Sequence, residues 1–201
     1  MQLLKSERPF LMDGAMGTSL YAKGCFINSA FDEANLTQPS KVAAVHESHI
    51  AAGADVIETN TFSANSLILS KYGCCNKVRE INLAGVKIAR QAIEDSRKNV
   101  FLAGSIGPTG EAMGYLSEHA ITIIQAAFRE QISALLEGGV DLLLLETFRH
   151  LHEVKLAMQV AREMFSGGII VQMSFTDEGC LQGMFLFLVR LKGMASLGIS
   201  D

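Results

Sequence analysis

Two hydrophobic rhythms alternate along the chain. Short unbroken apolar runs occur at Phe10-Leu11-Met12, Val56-Ile57, Val100-Phe101-Leu102-Ala103, Leu142-Leu143-Leu144-Leu145 and Ile169-Ile170-Val171. Runs of this kind, bounded by turn residues, read as strands buried on both faces, as in a parallel sheet. Between them apolar residues recur at helical spacing: Val42, Val45, His46 and Ile50; Val78, Ile81, Val86, Ile88, Ala89 and Ile93; residues 121–137; and Val154, Ala157, Met158 and Ala161. The first helix starts with Thr37 as its cap and Pro39 in its first turn, and stops before Gly53. The second ends near Lys98, and the fourth covers 153–165. Residues 23–38 read as irregular, and 72–75 as a surface segment.

Strands alternating with helices of this length predict parallel βα units. The chain reads as five of them plus a beginning, with 197–201 as a sixth strand cut off at its functional end. At about 35 to 40 residues per unit, an eight-unit barrel would need on the order of 300. All 201 residues are expected to belong to one domain.

The strand ends carry the chemistry. The first run leads into Asp13-Gly14-Ala15, and the leucine strand into Glu146-Thr147. In α/β sheets and barrels ligands sit at the carboxyl ends of strands, so the two carboxylates are expected to face one mouth. Small residues after Asp13 would let a ligand approach the backbone. The strand at 55–62 likewise leaves Thr59, Asn60 and Thr61 at its end, and the 100–108 strand leaves Ser105 before a Gly-Pro turn.

Composition narrows the partners. With 49% hydrophobic residues the chain buries a substantial core, and a net charge of -4 without a basic cluster argues against nucleic acid or an anionic membrane. Residues 1–7 carry charges and no later apolar run approaches ~20 residues, so neither a signal peptide nor a membrane anchor is expected. Cys25, Cys74, Cys75 and Cys180 form no disulfide framework, which suits a reducing, cytoplasmic compartment.

Four stretches taken together carry a resemblance: Asp13-Gly14-Ala15-Met16-Gly17-Thr18, Glu58-Thr59-Asn60-Thr61-Phe62, Gly104-Ser105-Ile106-Gly107-Pro108 and Leu144-Leu145-Glu146-Thr147-Phe148. In this order they resemble the homocysteine S-methyltransferase family. More narrowly, with Phe31-Asp32-Glu33-Ala34-Asn35-Leu36 and Ala52-Gly53-Ala54-Asp55, they are similar to the homocysteine-binding barrel at the amino end of cobalamin-dependent methionine synthases. The resemblance implies an α/β fold of the (β/α)8 TIM barrel type, incomplete here at about five and a half units. It implies methyl transfer to the thiol of homocysteine to form methionine. In the family zinc binds the thiol, which it deprotonates while leaving a nucleophile. By position Asp13 and Glu146 would hold the substrate's ammonium, the backbone at Gly14 and Ala15 would face the substrate, and Thr59, Asn60, Thr61 and Ser105 would line the pocket. The methyl donor, methylcobalamin or another carrier, would belong to a separate donor domain.

The chain also departs from the family's pattern. Where the family places its first zinc cysteine, the sequence reads Gly198-Ile199-Ser200-Asp201, and Met184-Phe185-Leu186-Phe187-Leu188 replaces an expected polar loop. The expectation is a truncated or degenerate chain that does not bind zinc and is inactive alone, with no catalytic side chain of its own. The alternative from another class is a non-catalytic remnant acting as a binding or self-associating module through an open barrel edge. An aldolase-like barrel lacks a suitably placed strand-end lysine. Cys74-Cys75 without a third partner makes a poor metal site, and a surface or packing role is expected. His46 and His49 share a helix expected outside the barrel, and His150 and His152 are expected in a solvated loop. Met12, Met16, Met158, Met164 and Met173 are expected to fill the core.

Overall fold

The computed structural model describes residues 9–25, 30–111 and 117–175. A four-stranded parallel sheet runs in the order β1 (Val56–Glu58), β2 (Phe101–Ile106), β3 (Leu142–Phe148), β4 (Gly168–Met173). Each strand is joined to the next by helix: α4 (Ser66–Ser70) and α5 (Val78–Ser96), then α6 (Glu118–Gly138), then α7 (Leu151–Met164). Ahead of β1 lie α1 (Met16–Ala22), α2 (Ala34–Thr37) and α3 (Pro39–Ala52).

The leucine strand shows why an unbroken apolar run marks a strand here. Leu143 and Leu145 belong to the main core, with Phe128, Ile132 and Leu135 of α6 and Val154 and Ala157 of α7. Leu142 and Leu144 face the other way, grouped with Val56 and Ala103. All four leucines are fully buried, and each side chain taken from water contributes about 1.5–3 kcal/mol.

The expected first strand is reduced to a single parallel bridge, Met12 to Val56. Asp13 N–H still donates to Val56 O at 3.0 Å and Asp55 N–H to Leu11 O at 2.8 Å. Leu11 N–H, however, goes to the Asp55 carboxylate at 3.0 Å rather than to a backbone carbonyl, which cuts the ladder short. Thr37 does not cap α3. Its hydroxyl donates back to Glu33 O at 3.1 Å inside α2, and Gln38 occupies the cap position without a side-chain bond. The stretch expected to be irregular therefore holds a 3-10 turn, Phe31–Glu33, and the short α2. Gly53 does end α3, in the left-handed region at φ 103°. At α6 the cap is Ser117, whose hydroxyl accepts from Ala120 N–H. No described helix is long and apolar enough to cross a membrane. The sixth strand expected at 197–201 lies outside the described residues.

Candidate functional site

Because the strands are parallel, their carboxyl ends share one rim, and a cavity of about 550 Å³ opens there. Asp13, Gly14, Ala15, Thr59, Asn60, Ser105 and Glu146 all line it. Thr61 does not. It is fully buried behind the wall, where its hydroxyl donates to Ser105 O at 2.8 Å and takes a bond from Thr59 Oγ1 at 2.6 Å. Thr59 Oγ1 in turn accepts from Ser105 N–H at 3.0 Å. Thr61 thus ties β1 to β2 rather than touching a ligand.

Glu146 owes its direction to an irregularity. The β3–β4 register shifts between Leu145 and Phe148, and Thr147 sits at φ 61°, a conformation that costs a non-glycine residue. The extra residue re-aims Glu146 into the cavity, as bulges do beside functional sites. The Ser105 hydroxyl donates to Glu146 Oε1.

Asp13 is held just as firmly. Its side chain is 3% exposed, Oδ2 accepts from Glu58 N–H at 2.9 Å, and His49 Nδ1 lies 3.5 Å from the same oxygen. Its other oxygen, Oδ1, is buried without a partner. Burial raises the Asp13 carboxyl to about 7, against the pull of the Glu58 amide, and the Glu146 charge adds to the rise.

Glu58, at the end of β1, is a third carboxyl in the cavity. Burial first, then the charges on Glu146 and Asp13, push it far above the carboxylate range. Asp32 is a fourth acid on the wall, fully buried and raised to about 6 by that burial. Its Oδ1 accepts from Ser63 N–H at 2.9 Å.

A buried amide network fixes this wall. Asn35 Nδ2 donates to Asn60 O at 2.8 Å and to Ile81 O at 3.1 Å, and Asn60 Nδ2 donates to Phe31 O at 2.8 Å. Gln131 of α6 reaches Thr61 O at 2.7 Å. Gly85 of α5 leaves room for this network, since a Cβ there would fall 2.7 Å from Asn35 Nδ2.

Glu58, Asp32 and His49 were not read as site residues from sequence. The pair Glu58-Thr59 repeats Glu146-Thr147 after an apolar run, a signal that would have found the first. The helix of His46 and His49 is expected outside the barrel, and from its last turn His49 nevertheless reaches Asp13. His46, one turn earlier, is fully buried. Neither Cys74, which is buried, nor the exposed Cys75 lines the cavity, and neither do His150 and His152. Met158, Met164 and Met173 pack against the main core as expected. Met12 and Met16 pack against smaller clusters but also line the cavity, which corrects their reading as core alone.

The cavity wall offers carboxylates, hydroxyls and amides but no thiolate or imidazole among the described residues. No described group of three or more His, Cys, Asp or Glu side chains could hold a metal ion. The described residues do not fit a zinc site of the thiolate kind. Asp201 and residues 184–188 lie outside the described residues.

Residues 10–186 match the homocysteine S-methyltransferase family. The chain is 33% identical over 172 residues to methionine synthase of Mycobacterium tuberculosis and 30% over 171 residues to that of Mycobacterium leprae. Each match covers 78% of this chain and 14% of the relative, so the chain spans about a seventh of the length of these curated proteins. Among solved structures, the oxidized form of the homocysteine methyltransferase MmuM from Escherichia coli superposes with a TM-score of 0.73 at 25% identity, over 87% of this chain and 64% of that one. Its metallated form gives 0.72 at 24%, over 86% and 65%, a likeness of fold. The described strands and helices are part of a (β/α)8 barrel of this type, and the chain belongs to the homocysteine S-methyltransferase family.

Proposed function

We propose that the cavity binds homocysteine for transfer of a methyl group to its thiol, forming methionine, with the donor carried by a separate domain. The observation that carries this reading is the convergence of Asp13 and Glu146 on one cavity that no lysine or arginine lines among the described residues. A buried acid beside a partly buried one, without a counter-charge, is costly. An ammonium placed between Asp13 Oδ1 and Glu146 supplies that charge and satisfies an oxygen that otherwise has no partner. Gly14 and Ala15 add no side-chain bulk, so the rest of the amino acid lies close to the backbone at the start of α1. Asn60 and Ser105 shape the wall. These residues bind, orient and desolvate the amino-acid end of the substrate.

Calorimetric titration of homocysteine tests this. Asp13→Asn and Glu146→Gln each remove a charge-assisted bond worth about 1.5–3 kcal/mol, so affinity should fall about 10- to 150-fold per variant. Unchanged affinity in the double variant would place the ammonium elsewhere.

A further inference from the structure

The two oxygens of Asp13 keep different company. Oδ2 accepts from Glu58 N–H at 2.9 Å and lies 3.5 Å from His49 Nδ1, while Oδ1 is buried without a partner. His49 reaches this carboxylate from a fixed base in the last turn of α3. Its carbonyl accepts from Ala54 N–H at 3.2 Å, and that of Ile50 from Gly53 N–H at 3.1 Å and Lys98 Nζ at 2.8 Å, a closed helix end. The Nδ1 atom is itself buried, with no hydrogen bond completed. The far edge of the ring lies against Gly14, where a Cβ would come 3.2 Å from Nε2 and 3.8 Å from Cδ2 and Cε1. The imidazole therefore spans the Asp13-Gly14 turn without lining the cavity.

On the reading of this cavity as an amino-acid site, we propose that His49 is a positioning residue for Asp13. In its Nδ1–H form it donates to Oδ2, and with the Glu58 amide it fixes the rotation of the carboxylate so that Oδ1 is left for the substrate's ammonium. Burial lowers the His49 pKa from 6.5, so above neutral pH the ring is uncharged and has one N–H to place. The tautomer of a histidine follows the hydrogen bonds its ring makes, and a facing carboxylate draws the proton to the nearer nitrogen. A contact of 3.5 Å is long for a hydrogen bond, and bonds of this kind often tighten only when substrate binds. An uncharged donor suits the task. A lysine or arginine in this place would neutralise Asp13 and compete with the ammonium, whereas a neutral N–H orients the carboxylate and leaves its charge to the ligand. Glycine at 14 belongs to the same arrangement, since a side chain there would press on the Nε2 edge of the ring.

Two measurements on the full chain test this, both at pH 8, where Asp13 with its pKa of about 7 is mostly ionised. The first needs no ligand: nitrogen-15 NMR of the His49 ring, assigned by its loss in His49→Asn, should show the Nδ1–H form. Asp13→Ala should return the ring to the Nε2–H form that imidazole side chains favour in water. The second is calorimetry with three variants. His49→Asn keeps an N–H where Nδ1 stood, His49→Gln keeps one where Nε2 stood, and His49→Phe fills the space with none. His49→Asn should bind homocysteine within about threefold of the unsubstituted protein, and the other two about tenfold more weakly, or about 1.4 kcal/mol. 2-Aminobutyrate, which keeps the ammonium and lacks the thiol, should follow the same order. 4-Mercaptobutyrate, which lacks the ammonium, should bind all four proteins alike. An Nε2–H ring in the unsubstituted protein overturns the proposal, and so does His49→Phe binding homocysteine better than His49→Asn, which would mark the ring as packing. Absence of any heat from homocysteine with the unsubstituted protein would overturn the amino-acid reading and this role with it, whereas binding with the wrong tautomer or the wrong order of variants overturns the role of His49 alone.

Discussion

Replacing His46 with leucine should stabilise the protein, and more so in acid. His46 is fully buried in α3, and neither ring nitrogen has a hydrogen-bond partner in the protein. Burial chiefly, with the nearby His49 second, lowers its pKa from 6.5 to about 3. A depressed base binds fewer protons folded than unfolded, so its effect on stability appears as pH falls through 6.5. At pH 5 the unfolded imidazole is charged and the folded one is not, which costs about 2 kcal/mol at 1.36 kcal/mol per unit. A further penalty of about 1–3 kcal/mol for buried unpaired nitrogens applies at any pH. Leucine carries neither, at similar volume. Urea unfolding of His46→Leu should therefore show a gain of about 1–3 kcal/mol at pH 8 and about 2 kcal/mol more at pH 5. The acids raised elsewhere are present in both proteins and cancel. Equal gains at the two pH values would show that the ring is hydrogen-bonded or charged in the folded state, and the reasoning would fail.

Asp13 works with the opposite sign. Its pKa rises from 3.8 to about 7, so its contribution is fully present below 3.8 and is lost as pH rises through about 7. Thermal unfolding of Asp13→Asn across pH 4 to 8 should give a flatter profile than the unsubstituted chain, by up to ~4 kcal/mol over that range; parallel profiles would refute the burial. Gly85→Ala places a Cβ 2.7 Å from Asn35 Nδ2 and 2.8 Å from Thr61 Cγ2. It should cost about 1–3 kcal/mol in denaturant unfolding, and homocysteine affinity should drop with it as the Asn35–Asn60 wall shifts. Glu153→Ala removes the carboxylate that accepts from both Thr109 N–H and Thr109 Oγ1 at 2.7 Å. With a buried amide left unpaired, stability should fall by about 1–3 kcal/mol, and limited proteolysis should attack residues 107–111 sooner.

The strands and long helices were legible because burial on both faces of a sheet and on one face of a helix leaves periodic marks. Residues 142–145 and the apolar face of α5 are examples. The short α1, α2 and α4 left no such mark, because four to seven residues hold too few apolar positions to set a period. Thr37 misled because the residues ahead of Pro39 satisfy their hydroxyl within α2 instead. At the site, Asp13 and Glu146 were legible as acids ending apolar runs. The direction of a strand-end side chain was not: Thr61 turns behind the wall to serve the Thr59–Ser105 bonds, while the bulge at Thr147 swings Glu146 inward. Nor could spacing reveal that His49 reaches Asp13, since that contact depends on how α3 lies across the sheet.

The strand order has a consequence for how the chain acquires its shape. Spatial order equals sequence order: Val56 pairs with Phe101, Ala103 with Leu142, and Leu142 with Gly168. Each new strand therefore finds its partner in the segment synthesised just before it, and no strand must wait for a distant one. Short loop closures of this kind favour assembly in steps as the chain leaves the ribosome. The acids of the rim, in contrast, come from the first and the third of these steps. The set of acids is thus completed only when β3 docks, and arrested nascent chains ending before residue 142 should be compact to protease yet blind to homocysteine.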